Sequence, residues 1–185
     1  MSLKDLPINK SWTLFLDRDG VINHRLPGDY VKTPEQFEML PGVARAIKIL
    51  GERFGHIIVV SNQQGVGKGL MTAEDLEKVD QKMHSLIAEA GGRLDAVFYA
   101  PMLAKERHIM RKPRIGMALA ARKKFPEIQF KMSMIAGDSL SDMQFGKCLG
   151  MKTVLISESN LIAKKIPKLV DYYYKSLEDF SLDIS

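Results

Sequence analysis

Cysteine is almost missing from this 185-residue chain: Cys148 is the only one. No internal disulfide can form, which removes the disulfide-stapled secreted scaffolds and points to an intracellular setting. Long apolar runs are missing too. None approaches the roughly 18 residues needed to span a bilayer. The segment from Met1 to Lys10, with Asp5, Pro7 and Asn9, lacks the apolar core of a signal peptide. A cytoplasmic protein without membrane contact is expected. His24, His56, His84 and His108 have no metal-ligand spacing, and His84 falls within an amphipathic helical pattern that puts it at the surface. No internal repeat, low-complexity tract or linker is seen, so residues 1–185 read as a single domain. Its core spans about residues 11–157, with a C-terminal strand and short helix over about 170–183.

What is present is ordinary in bulk. Hydrophobic residues at 45% and charged residues at 26% suit a globular protein with one sizeable core. A net charge of +5 favours anionic ligands without choosing among them, and fits a plain basic surface equally well.

The informative stretch is Phe15-Leu16-Asp17-Arg18-Asp19-Gly20-Val21-Ile22-Asn23. An apolar run from Trp12 to Leu16 ends in two carboxylates one residue apart, then glycine. A buried strand ending this way puts both acids at the carboxyl edge of a sheet, where open α/β folds bind ligands. The two charges repel, and a bound cation would relieve them. An acidic turn with Gly20 at positive φ is the alternative.

Strands and helices alternate along the rest of the chain. Pro41-Gly42 opens a helix with Val43, Ala46, Ile47, Leu50 and Phe54 at helical period. His56 to Val60 is a β-branched run suited to burial on both faces and ends in Ser61-Asn62-Gln63-Gln64. Thr72 and Asp75 form a capping box for a helix carrying Leu76, Val79, Met83, Leu86, Ile87 and Ala90. Leu94–Tyr99 is a third strand and Ala100–Arg114 a basic loop. Gly116–Phe125 is helical, Met132–Ala136 a strand, Ser141–Leu149 a helix and Thr153–Ile156 a strand, with an edge strand at Tyr172–Tyr174. This order predicts a doubly wound, mainly parallel α/β sheet. The intervals between motifs are filled by scaffold, so no cap domain is expected.

In such a sheet Asp17/Asp19, Ser61/Asn62, Arg111-Lys112-Pro113 and Gly137-Asp138 with Asp142 converge on one edge. A hydroxyl, a lysine and a set of carboxylates are the inventory of metal-assisted phosphoryl transfer to a carboxylate nucleophile. Bland readings exist for each: Asp142 completes a capping box with Ser139, Lys112 could be solvated loop, Ser61 could cap a turn, and Arg18 reads as structural. Gly65-Val66-Gly67-Lys68-Gly69 fails the phosphate-loop pattern and reads as a flexible rim loop. The basic run Lys105, Arg107, Arg111, Lys112 and Arg114 lacks the interleaved aromatics of a nucleic-acid surface.

Taken in order, Asp17-Arg18-Asp19-Gly20, Ser61-Asn62-Gln63, Arg111-Lys112-Pro113 and Gly137-Asp138 with Asp142 resemble the motifs of the haloacid dehalogenase superfamily of phosphatases. The wording Leu-Asp-Arg-Asp-Gly-Val-Ile-Asn, Pro41-Gly42-Val43 and Ser61 to Gly69 is similar to the branch of heptose bisphosphate and histidinol-phosphate phosphatases. The resemblance implies a Rossmann-like fold and Mg²⁺-dependent phosphomonoester hydrolysis. Asp17 would be the nucleophile and, with Asp138 and the backbone carbonyl of Asp19, a metal ligand. Asp19 would be the acid and base. Ser61 and Lys112 would hold the phosphoryl group, and Asp142 would orient Lys112 or sit behind the metal. Asn62, Arg111, Asn23, Gln63 and Lys68 would contact phosphate or substrate. The implied substrate is a heptose 1,7-bisphosphate, handled by a monomer. Histidinol phosphate, a nucleic-acid terminal phosphate and a non-catalytic phospho-ligand module are the alternatives, and nucleic acid is not the expected partner. Members of that branch build the loop before Arg-Lys-Pro around zinc. Here Ala100 to Met110 has no cysteine, so no zinc is expected, and packing by Met102, Leu103, Ile109 and Met110 should hold the loop.

Overall fold

The computed structural model describes residues 3 and 6–184. Six parallel strands form one sheet in the order β3-β2-β1-β4-β5-β6. They are β1 (Thr13–Leu16), β2 (His56–Asn62), β3 (Ala96–Ala100), β4 (Ser133–Gly137), β5 (Lys152–Ile156) and β6 (Tyr172–Tyr174). β1 is buried along its whole length. The β-branched and apolar run of β2 is buried from Ile57 to Ser61, as expected for strands covered on both faces.

Alternate residues of each strand feed two cores. Leu14, Leu16, Ile57, Val59, Met134 and Ala136 pack with α1 (Val43–Arg53), α3 (Ala73–Glu89) and α7 (Leu177–Ile184). Phe15, Ile58, Val60 and Ile135 face α4 (Gly116–Lys124) and α5 (Leu140–Leu149), whose Met117, Ala118, Ala121 and Phe145 complete the other side. Helices α1 and α3 thus connect strands on one side of β1, while α4 and α5 lie across the opposite face. The winding reverses between β1 and β4, and the carboxyl ends of those adjacent strands frame a crevice.

The predicted elements are present with ends displaced by one or two residues. The Thr72–Asp75 capping box opens α3. Two short helices went unread: α2 (Gln64–Gly67) and α6 (Leu161–Lys165). The rim segment at Gly65 is therefore one helical turn rather than a flexible loop. Between Asn23 and Leu40 the described residues carry only a 3-10 turn at Pro34–Gln36 and isolated bridges, so nothing there builds a cap. Among the described residues, no helix is long and apolar enough to cross a membrane.

Candidate active site

The site begins where β1 and β4 end side by side. The backbone N–H of Asp17 donates to the Ala136 carbonyl at 2.9 Å, extending the pairing by one residue. Gly20 then sits at φ +89°, and a Cβ there would lie 2.2 Å from Asp138 Oδ2. The turn after β1 therefore needs glycine twice over, for its backbone angle and for room beside Asp138. Gly137 makes a similar allowance at the end of β4, where a Cβ would meet the Asp142 Cβ at 2.3 Å.

Lys112 is the hub. Its side chain is 1% exposed, and its ammonium donates to the Val60 carbonyl at 2.7 Å. It also pairs with Asp17 Oδ1 at 2.9 Å and Asp142 Oδ1 at 2.5 Å. Burial favours discharging the amine, but Asp142 and Asp17 outweigh it and hold the lysine above its ordinary pKa. Asn62 grips the Lys112 backbone at two points, accepting its N–H at 3.0 Å and donating to its carbonyl at 3.1 Å. The two readings of Asp142 are both true. Its Oδ2 accepts from the Ser139 N–H and hydroxyl to start α5, while Oδ1 faces Lys112.

Asp17 is 13% exposed, and both of its bonds fall on Oδ1, from Lys112 and from the Arg18 N–H at 2.8 Å. Among the described residues nothing donates to Oδ2. Burial pushes the Asp17 carboxyl up to about 7; Lys112 opposes this, and Asp142, Asp138 and Asp19 add to it.

Asp19 is treated differently. Arg18 Nη2 donates to both of its oxygens at 3.0 and 3.1 Å, Asn23 Nδ2 to Oδ1 at 3.0 Å, and Gln63 Nε2 to Oδ2 at 2.6 Å. Burial works against the charge, but Arg18 and these hydrogen bonds prevail and hold the carboxyl below its usual range. The expectation that Asn23 and Gln63 contact phosphate is corrected here. Both are fully buried and lie behind Asp19, and Gln63 also donates to Ser61 Oγ at 3.1 Å. Arg18 is buried as expected of a structural residue, with its guanidinium 5.8 Å from the Tyr99 ring, yet its charge is spent on Asp19.

Asp17, Asp19, Ser61, Asn62, Lys68, Arg111, Lys112 and Asp138 line one cleft of about 350 Å³. Asp142 lies beneath it. Arg25, Asp29, Tyr30 and Gln64 also line it and were not among the expected site residues. Arg25, Asp29 and Tyr30 sit in an aperiodic segment and Gln64 opens α2, and tertiary placement brings them together. Gln64 ties the mouth together, donating to the Tyr30 hydroxyl at 2.9 Å and accepting from the Ala104 N–H at 3.2 Å. Lys68 lies 5.3 Å from the Tyr30 ring centre. In the loop over 100–111, Met102 and Met110 pack on the core as expected, while Ile109 is 53% exposed and does not. Hydrogen bonds supplement them: the Glu106 carboxylate accepts from the Leu103 N–H at 2.9 Å, and the Gly116 N–H donates to the Ile109 carbonyl at 2.9 Å.

The donor set fits a hard divalent cation. Carboxylate oxygens of Asp17, Asp138 and Asp142 lie within 4.8 Å of one another. Asp142 is committed to Ser139 and Lys112, which leaves Asp17 and Asp138 to hold an ion, with the Asp19 carbonyl at the same strand end. Asp138 is raised by burial and by Asp142, against the pull of Arg25. Four carboxylates thus face three cations, Arg18, Arg25 and Lys112, and the shortfall is positive charge. Oxygen ligands and few carboxylates suit an ion such as Mg²⁺.

Comparison with known proteins gives a consistent result. The profile of the family described as Polynucleotide kinase 3 phosphatase matches residues 14–172. A D-glycero-alpha-D-manno-heptose-1,7-bisphosphate 7-phosphatase of Mycobacterium bovis is 36% identical over 173 residues, covering 94% of this chain and 91% of the relative. The D-glycero-beta-D-manno-heptose-1,7-bisphosphate 7-phosphatase of Bordetella bronchiseptica is 31% identical over 147 residues, 80% of this chain and 81% of that one. A crystal structure of D,D-heptose 1,7-bisphosphate phosphatase from B. bronchiseptica, complexed with magnesium and phosphate, superposes with a TM-score of 0.82. It shares 26% identity and covers 93% of this chain and 97% of that one. The chain belongs to this family of haloacid-dehalogenase-like phosphatases.

Proposed function

We propose that this phosphatase removes one phosphate from a small sugar bisphosphate, with D-glycero-D-manno-heptose 1,7-bisphosphate the substrate best matched by its relatives. The observation that carries the chemistry is the state of Asp17. One oxygen is pinned by Lys112 and a backbone N–H, while the other is free in the floor of the cleft. Asp17 Oδ2 attacks phosphorus in line, the ester P–O bond breaks, and an aspartyl-phosphate forms. The Ser61 hydroxyl donates to a phosphoryl oxygen, and Lys112, whose three N–H groups serve Val60, Asp142 and Asp17, offsets the phosphoryl charge and can swing its Asp17 bond to a phosphoryl oxygen. Asp17, Asp138 and the Asp19 carbonyl would hold Mg²⁺, which would supply Lewis-acid neutralisation of the phosphoryl charge.

Asp19 handles both protons. Its carboxyl, ionised at rest by Arg18, Asn23 and Gln63, suits the second half, where it takes a proton from the water that hydrolyses the aspartyl-phosphate. In the first half it delivers to the leaving alkoxide a proton that it takes up from solvent as the substrate binds, and the second half returns that proton to it. The anionic phosphoryl group beside it offsets the cations that keep it ionised and raises its hold on that proton.

Two cleft cations favour a bisphosphate over histidinol phosphate. Among the described residues neither Lys68 nor Arg111 has a carboxylate partner, and burial lowers the Arg111 pKa. A second phosphate on the substrate would meet that unbalanced charge. We read the enzyme as a cytoplasmic monomer that uses no nucleic-acid partner.

The test is phosphate release measured as kcat/KM on the heptose bisphosphate, histidinol phosphate and a terminally phosphorylated oligonucleotide, with and without Mg²⁺. The bisphosphate should lead, and Asp17→Asn should abolish turnover with each. Preference for the oligonucleotide, falling steeply with salt, overturns the sugar reading. Turnover by Asp17→Asn near that of the native protein overturns the nucleophile.

A further inference from the structure

Arg25 has no part in the chemistry above, yet it occupies a sensitive place. Its Nη1 lies 3.1 Å from Asp138 Oδ2, and this is the one ion pair that Asp138 makes among the described residues. Arg25 belongs to the aperiodic segment between β1 and α1, its side chain is 63% exposed, and it lines the same cleft as Asp17, Ser61 and Lys112. Little packing therefore fixes the guanidinium. What holds it is the negative field of Asp138, with Asp17 and Asp19 behind it.

We propose that Arg25 is an exchangeable counter-ion: it neutralises Asp138 while the metal site is empty, is displaced when a divalent cation takes that carboxylate, and then turns to the phosphate in the cleft. This rests on the reading of Asp17 and Asp138 as metal ligands, and not on which sugar is bound. The physical argument is competition. A guanidinium and a divalent cation at one carboxylate repel each other, so the ion must overcome the arginine to bind. Once released, the side chain stays anchored to the rim of a cleft that has just received a phosphate. Metal and phosphate binding are then linked through one residue, and linkage of this kind is reciprocal.

The experiment is calorimetric titration of Mg²⁺ alone into the native protein, Arg25→Gln, Arg25→Lys and Lys68→Gln, without and then with saturating inorganic phosphate. Without phosphate, Arg25→Gln should bind Mg²⁺ about two- to fivefold more tightly than the native protein, the range set by an exposed ion pair. With phosphate the order should reverse, because the freed arginine no longer helps to hold the anion. Arg25→Lys should keep most of the native behaviour. Lys68→Gln, which removes a cleft cation that does not touch Asp138, should leave the phosphate-free affinity unchanged. Equal Mg²⁺ affinities of native and Arg25→Gln protein without phosphate overturn the proposal, as does the absence of a reversal with phosphate. Asp138→Asn serves as the reference. If it binds Mg²⁺ as the native protein does, the metal assignment fails and the exchange falls with it, whereas a change in preferred sugar touches neither.

Discussion

Asp17→Asn should make the metal-free protein more stable, and by an amount that depends on pH. The Asp17 carboxyl is held up at about 7 in the folded chain, against an ordinary value of 3.8. Burial is the chief cause, and Asp142, Asp138 and Asp19 crowd it further, with Lys112 in partial opposition. Between about pH 4 and 7 the native state thus holds a proton that the unfolded chain has lost. Stability falls as pH rises through that window and levels off above it. At 1.36 kcal/mol per pKa unit the rise from 3.8 to about 7 is worth up to about 4 kcal/mol with the opposing pull of Lys112 already included, and about 2–4 kcal/mol is expected. For a chain of this size that is roughly 5–15 °C in Tm. Asparagine keeps an oxygen for the Arg18 N–H, and Lys112 keeps Asp142, so the substitution leaves no new buried charge. Calorimetric melting with a chelator, scanned from about pH 4.5 to 8.5, should show the two proteins diverging, with half the gap near pH 5.5. Mg²⁺ should then raise the native Tm and close the gap, because the ion supplies the missing charge. An Asp17→Asn protein no more stable than native at high pH in chelator, or one whose advantage ignores pH, refutes the electrostatic account.

Three further outcomes follow from the same geometry. Lys112→Met leaves Asp17 and Asp142 buried without their shared cation, and should cost about 3–5 kcal/mol in urea unfolding as well as all turnover. Gly20→Ala forces a Cβ into Asp138 at a strained backbone angle, and should weaken Mg²⁺ binding at least about tenfold while circular dichroism stays native. Thr72→Ala removes the α3 cap without altering a cleft-lining residue, and should cost about 1 kcal/mol with kcat unchanged.

How much of this was legible in the sequence depended on backbone regularity. The ends of β1, β2 and β4 could be read because apolar runs stop abruptly at polar residues, and winding rules then bring those ends together. Asp17, Ser61 and Asp138 were found that way, and Lys112, in the loop after β3, through the Arg111-Lys112-Pro113 run. Asn23 and Gln63 were misplaced because alternation carries no information past a strand end. After Arg18 the chain coils back on itself, with Ile22 N–H bonded to the Arg18 carbonyl, and this returns Asn23 to the rear of Asp19. Arg25 and Tyr30 stand in a loop without periodicity and Gln64 opens α2, so no pattern told that these side chains face the cleft. The helical turn α2 was hidden by Gly65 and Gly67, whose local preference is against helix. Gly67 sits where a Cβ would lie 2.4 Å from the Pro101 carbonyl, a requirement visible only in three dimensions.

The sheet order divides labour in a way that bears on how such a protein can change over generations. The reacting groups stand on the turns leaving β1 and β4, locked by Gly20, Gly137 and a shared buried lysine, so nearly any alteration there is ruinous. The mouth is formed by the segment after Asn23 and the loop after β3, which meet through the side chain of Gln64. Each segment is anchored in a core, by Val31 and Phe37 on one side and by Met102 and Met110 on the other, and between those anchors exposed residues can be exchanged. Lineages built on this plan are free to explore new esters by redrawing the doorway, while the hearth behind it stays the same.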